Sequence, residues 1–161
     1  MTFITLGDNA PQRWVYCDSP IGPMRVHTAA GAITAVEFVA SPGTAQQPDA
    51  VAVEAARQLA QYFDGRRRKF DLPLAPQGTA FQRAVWQQML AVPHGNVTTY
   101  GRIAAAIGRP RAARAVGLAS GRNPITVLIP CHRVIGSNGR LTGYGSGLWR
   151  KEWLLKHERS L

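Results

Sequence analysis

The spacing of the apolar residues changes about halfway along this chain, and that change sets the class of fold. Three early segments, WVYCD (14–18), MRVHTA (24–29) and AITAVEFV (32–39), mix β-branched and aromatic residues between short turn-forming runs. They predict a meander of antiparallel strands. From Ala52 to Phe63 the apolar residues instead recur at helical spacing, so a helix is predicted after the strands.

The chain beyond residue 78 is predicted to be mostly helical. Thr79 caps a first helix with an apolar stripe, and residues 98–108 form a second, short helix. Pro110 opens a third helix, which ends at Gly121. A tight glycine turn between two short helices is typical of a helix-turn-helix, although a generic pair of packed helices gives the same pattern.

A proline-rich segment, FDLPLAPQG, joins the two patterns, and the charge changes there as well. Residues 79–161 hold 12 Lys and Arg against two Asp and Glu, whereas residues 1–78 hold seven of each kind. We therefore predict an α+β protein with a structural domain over 1–78 and a functional domain over 79–161. The excess positive charge favours a polyanionic partner such as nucleic acid, with a solubilising surface as the alternative.

Several classes of protein are disfavoured by the composition. No apolar run approaches the ~18 residues of a membrane span, and the first residues do not resemble a secretion signal, so a cytoplasmic protein is expected. Cys17 and Cys131 form no CxxC pair, which disfavours a zinc site or a redox dithiol. We predict no cofactor and no metal at the functional site, and whether a metal binds the N-terminal domain is left open.

Small residues and arginines alternate along the third predicted helix. The arginines are Arg109, Arg111, Arg114 and Arg122, and the small residues include Ala113, Ala115 and Gly117. Because glycine within a helix costs about 1 kcal/mol relative to alanine, we expect close approach to a partner to offset it. A slender helix fits a minor groove about 6 Å wide, and a long side chain such as Arg114 can enter the base stack. The alternative is that the small residues pack the helix against its neighbours.

The sequence ITVLIPCHRV places a cysteine beside a histidine and an arginine. The run ITVLIP predicts a buried strand that leads to Cys131. Because His132 and Arg133 follow and carboxylates are scarce nearby, we expect more thiolate than an ordinary cysteine carries near neutral pH. Neighbouring side chains of an extended segment point to opposite faces, so a bridging water is expected between Cys131 and His132.

A histidine that acts as a base needs a carboxylate to orient it, and the second half offers Glu152 and Glu158. On a helix over SGLWRKEWLLKHE, Glu158 lies on the same face as Leu154 and Leu155, whereas Glu152 forms an i,i+4 pair with Lys156. Glu158 is therefore the predicted partner of His132.

Two further features flank the cysteine. Asn123 ends the arginine-bearing helix and can fasten the turn toward Cys131 with its carboxamide. The glycine-rich segment GSNGRLTGYGSG (136–147) forms a loop in which Tyr144 can wall a pocket for a flat ring. The segment is only weak evidence for a phosphate-binding loop, because it does not end in the Lys-Ser/Thr pair that such loops carry.

Taken together, these segments resemble the O6-alkylguanine-DNA alkyltransferases, also called methylated-DNA-protein-cysteine methyltransferases. The resemblance rests on GTAFQRAVWQQML, VPHGNVTTYG, RAVGLASGRNP, IPCHRVIG and LTGYGSG, and more loosely on DSPIGPM near the N-terminus. It implies a ribonuclease-H-like N-terminal sheet with a helix and a helical C-terminal domain with a winged helix-turn-helix. It also implies direct repair of O6-alkylguanine in duplex DNA, with O4-alkylthymine as a further candidate substrate.

The resemblance also implies roles for individual residues. Cys131 would accept the alkyl group irreversibly after the base is flipped out, with His132 as the water-mediated base and Glu158 completing the relay. Asn123 resembles a hinge residue, and Tyr100 resembles a tyrosine that rotates the nucleotide and protonates the leaving guanine. The remaining implied roles are filling the vacated base stack (Arg114) and forming the pocket (Val134, Tyr144, Gly145 and Ser146). A monomer is implied, and cooperative binding along DNA is left open.

Two residues depart from the family pattern, and two other functions compete with repair. Ser146 and Ser120 stand where glycine and asparagine are common, which bears on tolerance for bulky alkyl groups and on DNA contact. A sensor of alkylated DNA would bind without accepting the group, and a cysteine hydrolase would turn over and need an oxyanion hole. The roles of Cys17 and of the RRRK run (66–69), read as a solvated connection, are left open.

Overall fold

The computed structural model describes residues 2–44 and 47–159. Contacts divide the chain into two compact units, Met1–Gln77 and Gly78–Leu161. Within the described residues, no helix is both long and apolar enough to cross a membrane.

The N-terminal unit is built on an antiparallel sheet of three strands in the order β1-β2-β3. The strands are β1 (Arg13–Cys17), β2 (Met24–Ala29) and β3 (Ala32–Phe38), with a register shift between His27 and Thr28. Burial alternates along β2, so Met24 and Val26 face the core whereas Arg25 and His27 are partly exposed. The predicted meander is confirmed.

One helix, α1 (Ala50–Phe63), packs against this sheet. It begins at Asp49, whose carboxylate accepts a hydrogen bond from the backbone N–H of Ala52. Asp64 is its C-cap residue. The next residue, Gly65, has a positive φ of 78°, a conformation that cannot continue the helix. Ala52, Leu59 and Tyr62 are fully buried against the sheet, as the helical spacing predicts.

The C-terminal unit is mainly helical, with α2 (Ala80–Leu90), α3 (Tyr100–Ala106), α4 (Ala113–Gly121) and α5 (Leu148–His157). Thr79 and Gln82 form a reciprocal capping box at the start of α2. Trp86 of α2 is buried and donates its indole N–H to the carbonyl of Ala119 at 2.9 Å, which fastens α2 to α4. Helices α3 and α4 pack together as the predicted pair.

Two predicted boundaries in this pair are wrong. Pro110 lies in a turn closed by a hydrogen bond from the N–H of Ala112 to the carbonyl of Arg109, and α4 begins three residues after the proline. The two residues before α3 form a short strand, β4 (Thr98–Thr99), because they pair in parallel with β5 (Val134–Ile135).

The segment that leads to Cys131 is buried but is not the predicted strand. Val127 has a positive φ of 74°, and the N–H of Ile129 returns to the carbonyl of Ile125, so the chain turns back on itself. Cys131–Arg133 then forms a single turn of 3-10 helix, which also corrects the expectation of an extended conformation at Cys131 and His132.

Candidate active site

A pocket of about 650 Å³ lies among α4, the Cys131 turn and the loop before α5. Its lining residues are Tyr100, Ala113, Arg114, Gly117, Ser120, Gly121, Cys131, Thr142, Gly143, Tyr144 and Gly145. The pocket therefore brings together the predicted nucleophile, three of the predicted DNA-binding residues (Ala113, Arg114 and Gly117) and two predicted pocket residues (Tyr144 and Gly145). The last two belong to the glycine-rich segment 136–147, here called the pocket loop. A depression of about 510 Å³ around Arg13 and Asp49 in the N-terminal unit contains no predicted site residue.

Cys131 lies at the buried end of this pocket with 8% of its surface exposed. Burial raises the pKa of its thiol above the ordinary value of 9.0, and outweighs the lowering by a hydrogen bond from Asn123 and by the charge of Lys151. The expectation of extra thiolate is therefore wrong for the free protein. The reason is that Cys131 lies in a buried turn and the guanidinium of Arg133 pairs with another residue.

Asn123 connects the end of α4 to the turn that carries the sulfur. Its Nδ2 donates to the carbonyl of Ile129 at 2.8 Å, and its Oδ1 accepts from the N–H of Ile125 at 3.0 Å. Both ends of the carboxamide are thus used inside one turn, as an Asx-type fastening. The side chain of Asn123 thereby fastens the segment that links α4 to Cys131.

His132 and Glu158 form a fully buried pair. Nε2 of His132 lies 2.8 Å from Oε2 of Glu158, and neither side chain is exposed. Burial lowers the pKa of His132 despite the carboxylate, so the imidazole is neutral near pH 7. Its Nδ1 is buried without a hydrogen-bond partner among the described residues. With Nε2–H donating to Glu158, this nitrogen carries a lone pair that can accept a proton.

Arg133 completes this buried cluster from the same turn. Its Nε and Nη2 donate to the two carboxylate oxygens of Glu158 at 2.8 and 2.9 Å, and its Nη1 donates to the carbonyl of Val92 at 2.7 Å. Burial alone would raise the pKa of Glu158, but the hydrogen bonds from His132 and Arg133 hold it well below its usual range. Arg133 therefore keeps Glu158 ionised and does not act on the sulfur directly.

Lys151 is a site residue that the sequence reasoning missed. Its side chain is fully buried, and Nζ donates to the carbonyls of Val134 at 2.6 Å and Thr142 at 2.9 Å. Burial lowers its pKa to about 8, against an opposing effect of Cys131. The side chain thus joins the strand after the nucleophile to the pocket loop. No local pattern indicates this burial, because Lys151 lies between Arg150 and Glu152 and looks like part of a solvated face.

Tyr100, the first residue of α3, faces the pocket opposite α4. Its ring lies over Gly117, where an added Cβ would be 3.9 Å from the ring, an ordinary contact distance. The protein itself has room for a methyl group at this position, so packing within the molecule does not explain the glycine. The hydroxyl of Thr142 donates a hydrogen bond to the hydroxyl of Tyr100 at 2.9 Å.

The other predicted residues lie around the pocket without lining it. Val134 is fully buried and contributes its carbonyl to Lys151, and the carbonyl of Ser146 accepts from Arg150 at 2.6 Å. Four predicted DNA-binding residues are exposed on or beside α4: Arg109, Arg111, Ala115 and Arg122. Leu118, which was not predicted, is 70% exposed on the same helix. Within residues 2–44 and 47–159, no group of three or more His, Cys, Asp or Glu could hold a metal ion.

Comparison with known proteins gives matches for both parts of the chain. Residues 80–160 match the family model of the 6-O-methylguanine DNA methyltransferase DNA-binding domain. Residues 13–76 match that of the ribonuclease-like domain of the same methyltransferase. A methylated-DNA–protein-cysteine methyltransferase of Methanosarcina acetivorans is 48% identical over 89% of this chain and 96% of its own length. Its counterpart from Mycobacterium tuberculosis is 47% identical over 89% of this chain and 90% of its own.

Solved structures agree with these sequence matches. The crystal structure of Mycobacterium tuberculosis O6-methylguanine methyltransferase has a TM-score of 0.84 and 43% identity, over 93% of this chain and 94% of that one. The same bacterium's protein in complex with DNA has a TM-score of 0.83 and 45% identity, over 91% of this chain and 92% of that one. These matches, over both units, confirm the resemblance found in the sequence. The chain belongs to the 6-O-methylguanine DNA methyltransferase family.

Proposed function

We propose that this protein repairs alkylated DNA by moving the alkyl group from O6 of guanine to Sγ of Cys131, once per molecule. The observation that carries the proposal is the position of Cys131. It lines a pocket beside α4, Asn123 fastens the turn that leads to it, and the buried pair of His132 and Glu158 follows it. O4-alkylthymine, whose alkylated oxygen is chemically similar, is a further proposed substrate.

The relay begins with the neutral imidazole of His132. A water molecule between the thiol and Nδ1 would pass the proton of Cys131 to His132, and the carboxylate of Glu158 would stabilise the resulting imidazolium. In this view the thiolate forms only when the relay operates, because burial otherwise favours the thiol. Deprotonation of Cys131 thus depends on His132.

In the transfer step the thiolate attacks the alkyl carbon in line with the carbon–oxygen bond. The carbon–sulfur bond forms as the carbon–O6 bond breaks, and the bonding electron pair stays on guanine. The hydroxyl of Tyr100, which lines the pocket, would supply a proton to this leaving group. The product thioether has no activated bond for water to cleave, so the protein is consumed.

Duplex DNA is the proposed partner, bound through the minor groove by α4. The alkylated oxygen lies inside the duplex, so the nucleotide must be extruded before the sulfur can reach it. Arg114, exposed at the edge of the pocket, would fill the vacated stack, and the exposed Arg109, Arg111 and Arg122 would contact phosphates. Gly117 supports this interface, because it lines the pocket and the protein itself could accommodate a methyl group there. Close approach of a partner is therefore a better reason for the glycine than packing between helices.

We further propose that the molecule acts as a monomer in the cytoplasm and that the N-terminal unit has a structural role. The charge balance of the first half and the apolar contacts between α1 and the sheet fit such a role. Both cysteines are free thiols, which suits a compartment that keeps thiols reduced.

The decisive experiment is the intact mass of the protein after incubation with duplex DNA that contains O6-methylguanine. We expect one added methylene, located on Cys131 by peptide mapping, and Cys131→Ser should abolish the transfer while keeping DNA binding. DNA binding by the wild type with an unchanged mass would instead indicate a sensor. Turnover of esters without DNA would indicate a hydrolase.

A second experiment tests the role of Arg114. Arg114→Ala should slow repair in duplex DNA about tenfold or more, because a few kcal/mol of unstacking is then left uncompensated. The reaction with free O6-alkylguanine, which needs no extrusion, should keep the wild-type rate. Equal losses on both substrates would show that Arg114 has no part in flipping, and Arg102→Ala in α3 is a matched control.

A further inference from the structure

Thr142, an exposed residue of the pocket loop, makes two hydrogen bonds and lies near Gly136. Its carbonyl accepts a hydrogen bond from Nζ of Lys151 at 2.9 Å, and its hydroxyl donates to the hydroxyl of Tyr100 at 2.9 Å. Its methyl group lies beside Gly136, where an added Cβ would be 3.7 Å from Cγ2. The bond from Lys151 to its carbonyl holds the backbone of Thr142 where its hydroxyl meets that of Tyr100.

The two hydroxyl groups are hydrogen-bonded at 2.9 Å, and the arrangement in which Thr142 donates is the one that leaves Tyr100 able to act as an acid. A phenol oxygen that accepts a bond from Thr142 keeps its own hydrogen available for a different acceptor. Both residues line the same pocket as Cys131, so that hydrogen can be directed toward a purine in the pocket. Without the threonine hydroxyl, the phenol could rotate its hydrogen toward solvent or the loop.

We propose that Thr142 is a positioning residue that aims the hydroxyl of Tyr100 and stabilises its oxygen while Tyr100 protonates the leaving guanine. This inference rests on the function proposed above. As the proton moves from Tyr100 to the purine, negative charge develops on the phenol oxygen, and the bond from Thr142 becomes charge-assisted. Such bonds are roughly twice as strong as neutral ones, so the stabilisation is greater in the transition state than in the resting protein.

The test compares Thr142→Val, which keeps the shape of the side chain but removes its hydroxyl, with Thr142→Ser, which keeps the hydroxyl. In single-turnover reactions with methylated duplex DNA, Thr142→Val should lower the transfer rate about tenfold. Thr142→Ser should restore it to within about threefold of wild type. Affinity for DNA, measured by fluorescence anisotropy, should stay unchanged in both. Thr34→Val, which removes an exposed hydroxyl bound to Gln12 in the N-terminal unit, is the matched control and should react normally.

Two further measurements separate positioning from a general weakening of the pocket. In a Tyr100→Phe background, Thr142→Val should have no additional effect, because the group on which it acts is gone. With free O6-methylguanine and its 8-bromo derivative, whose leaving purine is more acidic and needs less protonation, the defect of Thr142→Val should be smaller for the bromo compound.

Three results would overturn the inference while leaving repair intact: wild-type rates for Thr142→Val, no restoration by Thr142→Ser, or an undiminished defect in the Tyr100→Phe background. A wild-type protein that leaves Cys131 unmodified would overturn the repair function and this inference together.

Discussion

The two units of the molecule each contain a cluster of one histidine, one glutamate and one arginine, in very different surroundings. In the N-terminal sheet, Glu37 accepts a hydrogen bond from Nε of Arg25 at 2.9 Å and lies 3.4 Å from His27. The side chain of Arg25 is 33% exposed, that of Glu37 is 45% exposed and that of His27 is 20% exposed. The cluster of His132, Arg133 and Glu158 in the C-terminal unit is almost completely buried.

The comparison shows that burial, and not the set of residues, gives such a cluster a chemical use. Water competes for every charge at the sheet surface, so the pairing of Glu37 adds little to stability. In the C-terminal unit, the negative charge of Glu158 is balanced by Arg133, and its carboxylate is hydrogen-bonded to His132. Burial keeps the imidazole of His132 neutral. A buried neutral imidazole whose Nδ1 has no hydrogen-bond partner among the described residues can act as a base.

The largest expected difference between the clusters is in stability. Glu158→Gln should lower the free energy of unfolding by about 3–5 kcal/mol, because it leaves Arg133 buried without its counter-ion. Glu37→Gln should lower it by less than about 1 kcal/mol. Urea unfolding of both variants measures this. Because the folded pKa of Glu158 is depressed, its contribution is complete above the ordinary value of 4.5 and is lost as pH falls further. Equal losses for the two variants would contradict the comparison.

The next difference is in the rate of alkyl transfer. His132→Gln should slow the reaction with methylated duplex about a hundredfold, as expected for loss of a general base, whereas His27→Gln should leave it unchanged. Single-turnover rates with quantification of methylated Cys131 measure the effect. A wild-type rate for His132→Gln would show that the sulfur is deprotonated without the relay.

The pH dependence sharpens the same point. The lowered pKa of His132 means that the base stays neutral above 6.5, so the wild-type rate should fall only at pH values below that. With the relay intact, the rate should be flat from 6.5 up to about 8, where Lys151 begins to lose the charge that lowers the pKa of the thiol. In His132→Gln the residual rate should instead rise with pH across this range, because hydroxide must then remove the proton.

The smallest expected difference concerns the arginines. Lysine cannot donate to both oxygens of Glu158 and to the carbonyl of Val92 at once, so Arg133→Lys should reduce stability by about 1–2 kcal/mol. Arg25→Lys should be almost neutral. Thermal unfolding compares the two, and a cost of Arg25→Lys as large as that of Arg133→Lys would remove the distinction between the clusters.

Part of this site could be predicted from local patterns. Helical spacing placed Glu158 on the face of Leu154 and Leu155, and the structure brings its carboxylate to His132. The position of Asn123 between a helix and an apolar run indicated a fastening turn, and its carboxamide makes two hydrogen bonds there. Both predictions depend on periodicity and turn chemistry over a few residues, which a sequence displays directly.

The rest depends on contacts between distant segments. Lys151 is buried because two carbonyls in irregular parts of the chain, those of Val134 and Thr142, need a donor, and no local pattern shows this. Arg133 looked like a source of positive charge for the sulfur, but its guanidinium is held by Glu158 and Val92. The apolar run before Cys131 looked like a strand, and the positive φ of Val127 could not be expected of a β-branched residue.

The turn fastened by Asn123 has a consequence for how this protein can vary. Seven residues separate Asn123 from Cys131, and they are closed by the hydrogen bond of Asn123 to Ile129 and include the left-handed Val127. The distance between the end of α4 and the sulfur is therefore fixed by chain length. Insertions that other surface loops accept would, in this segment, shift the nucleophile away from the helix. We therefore expect insertions and deletions to be tolerated elsewhere in the chain, and the number of residues between Asn123 and Cys131 to stay constant.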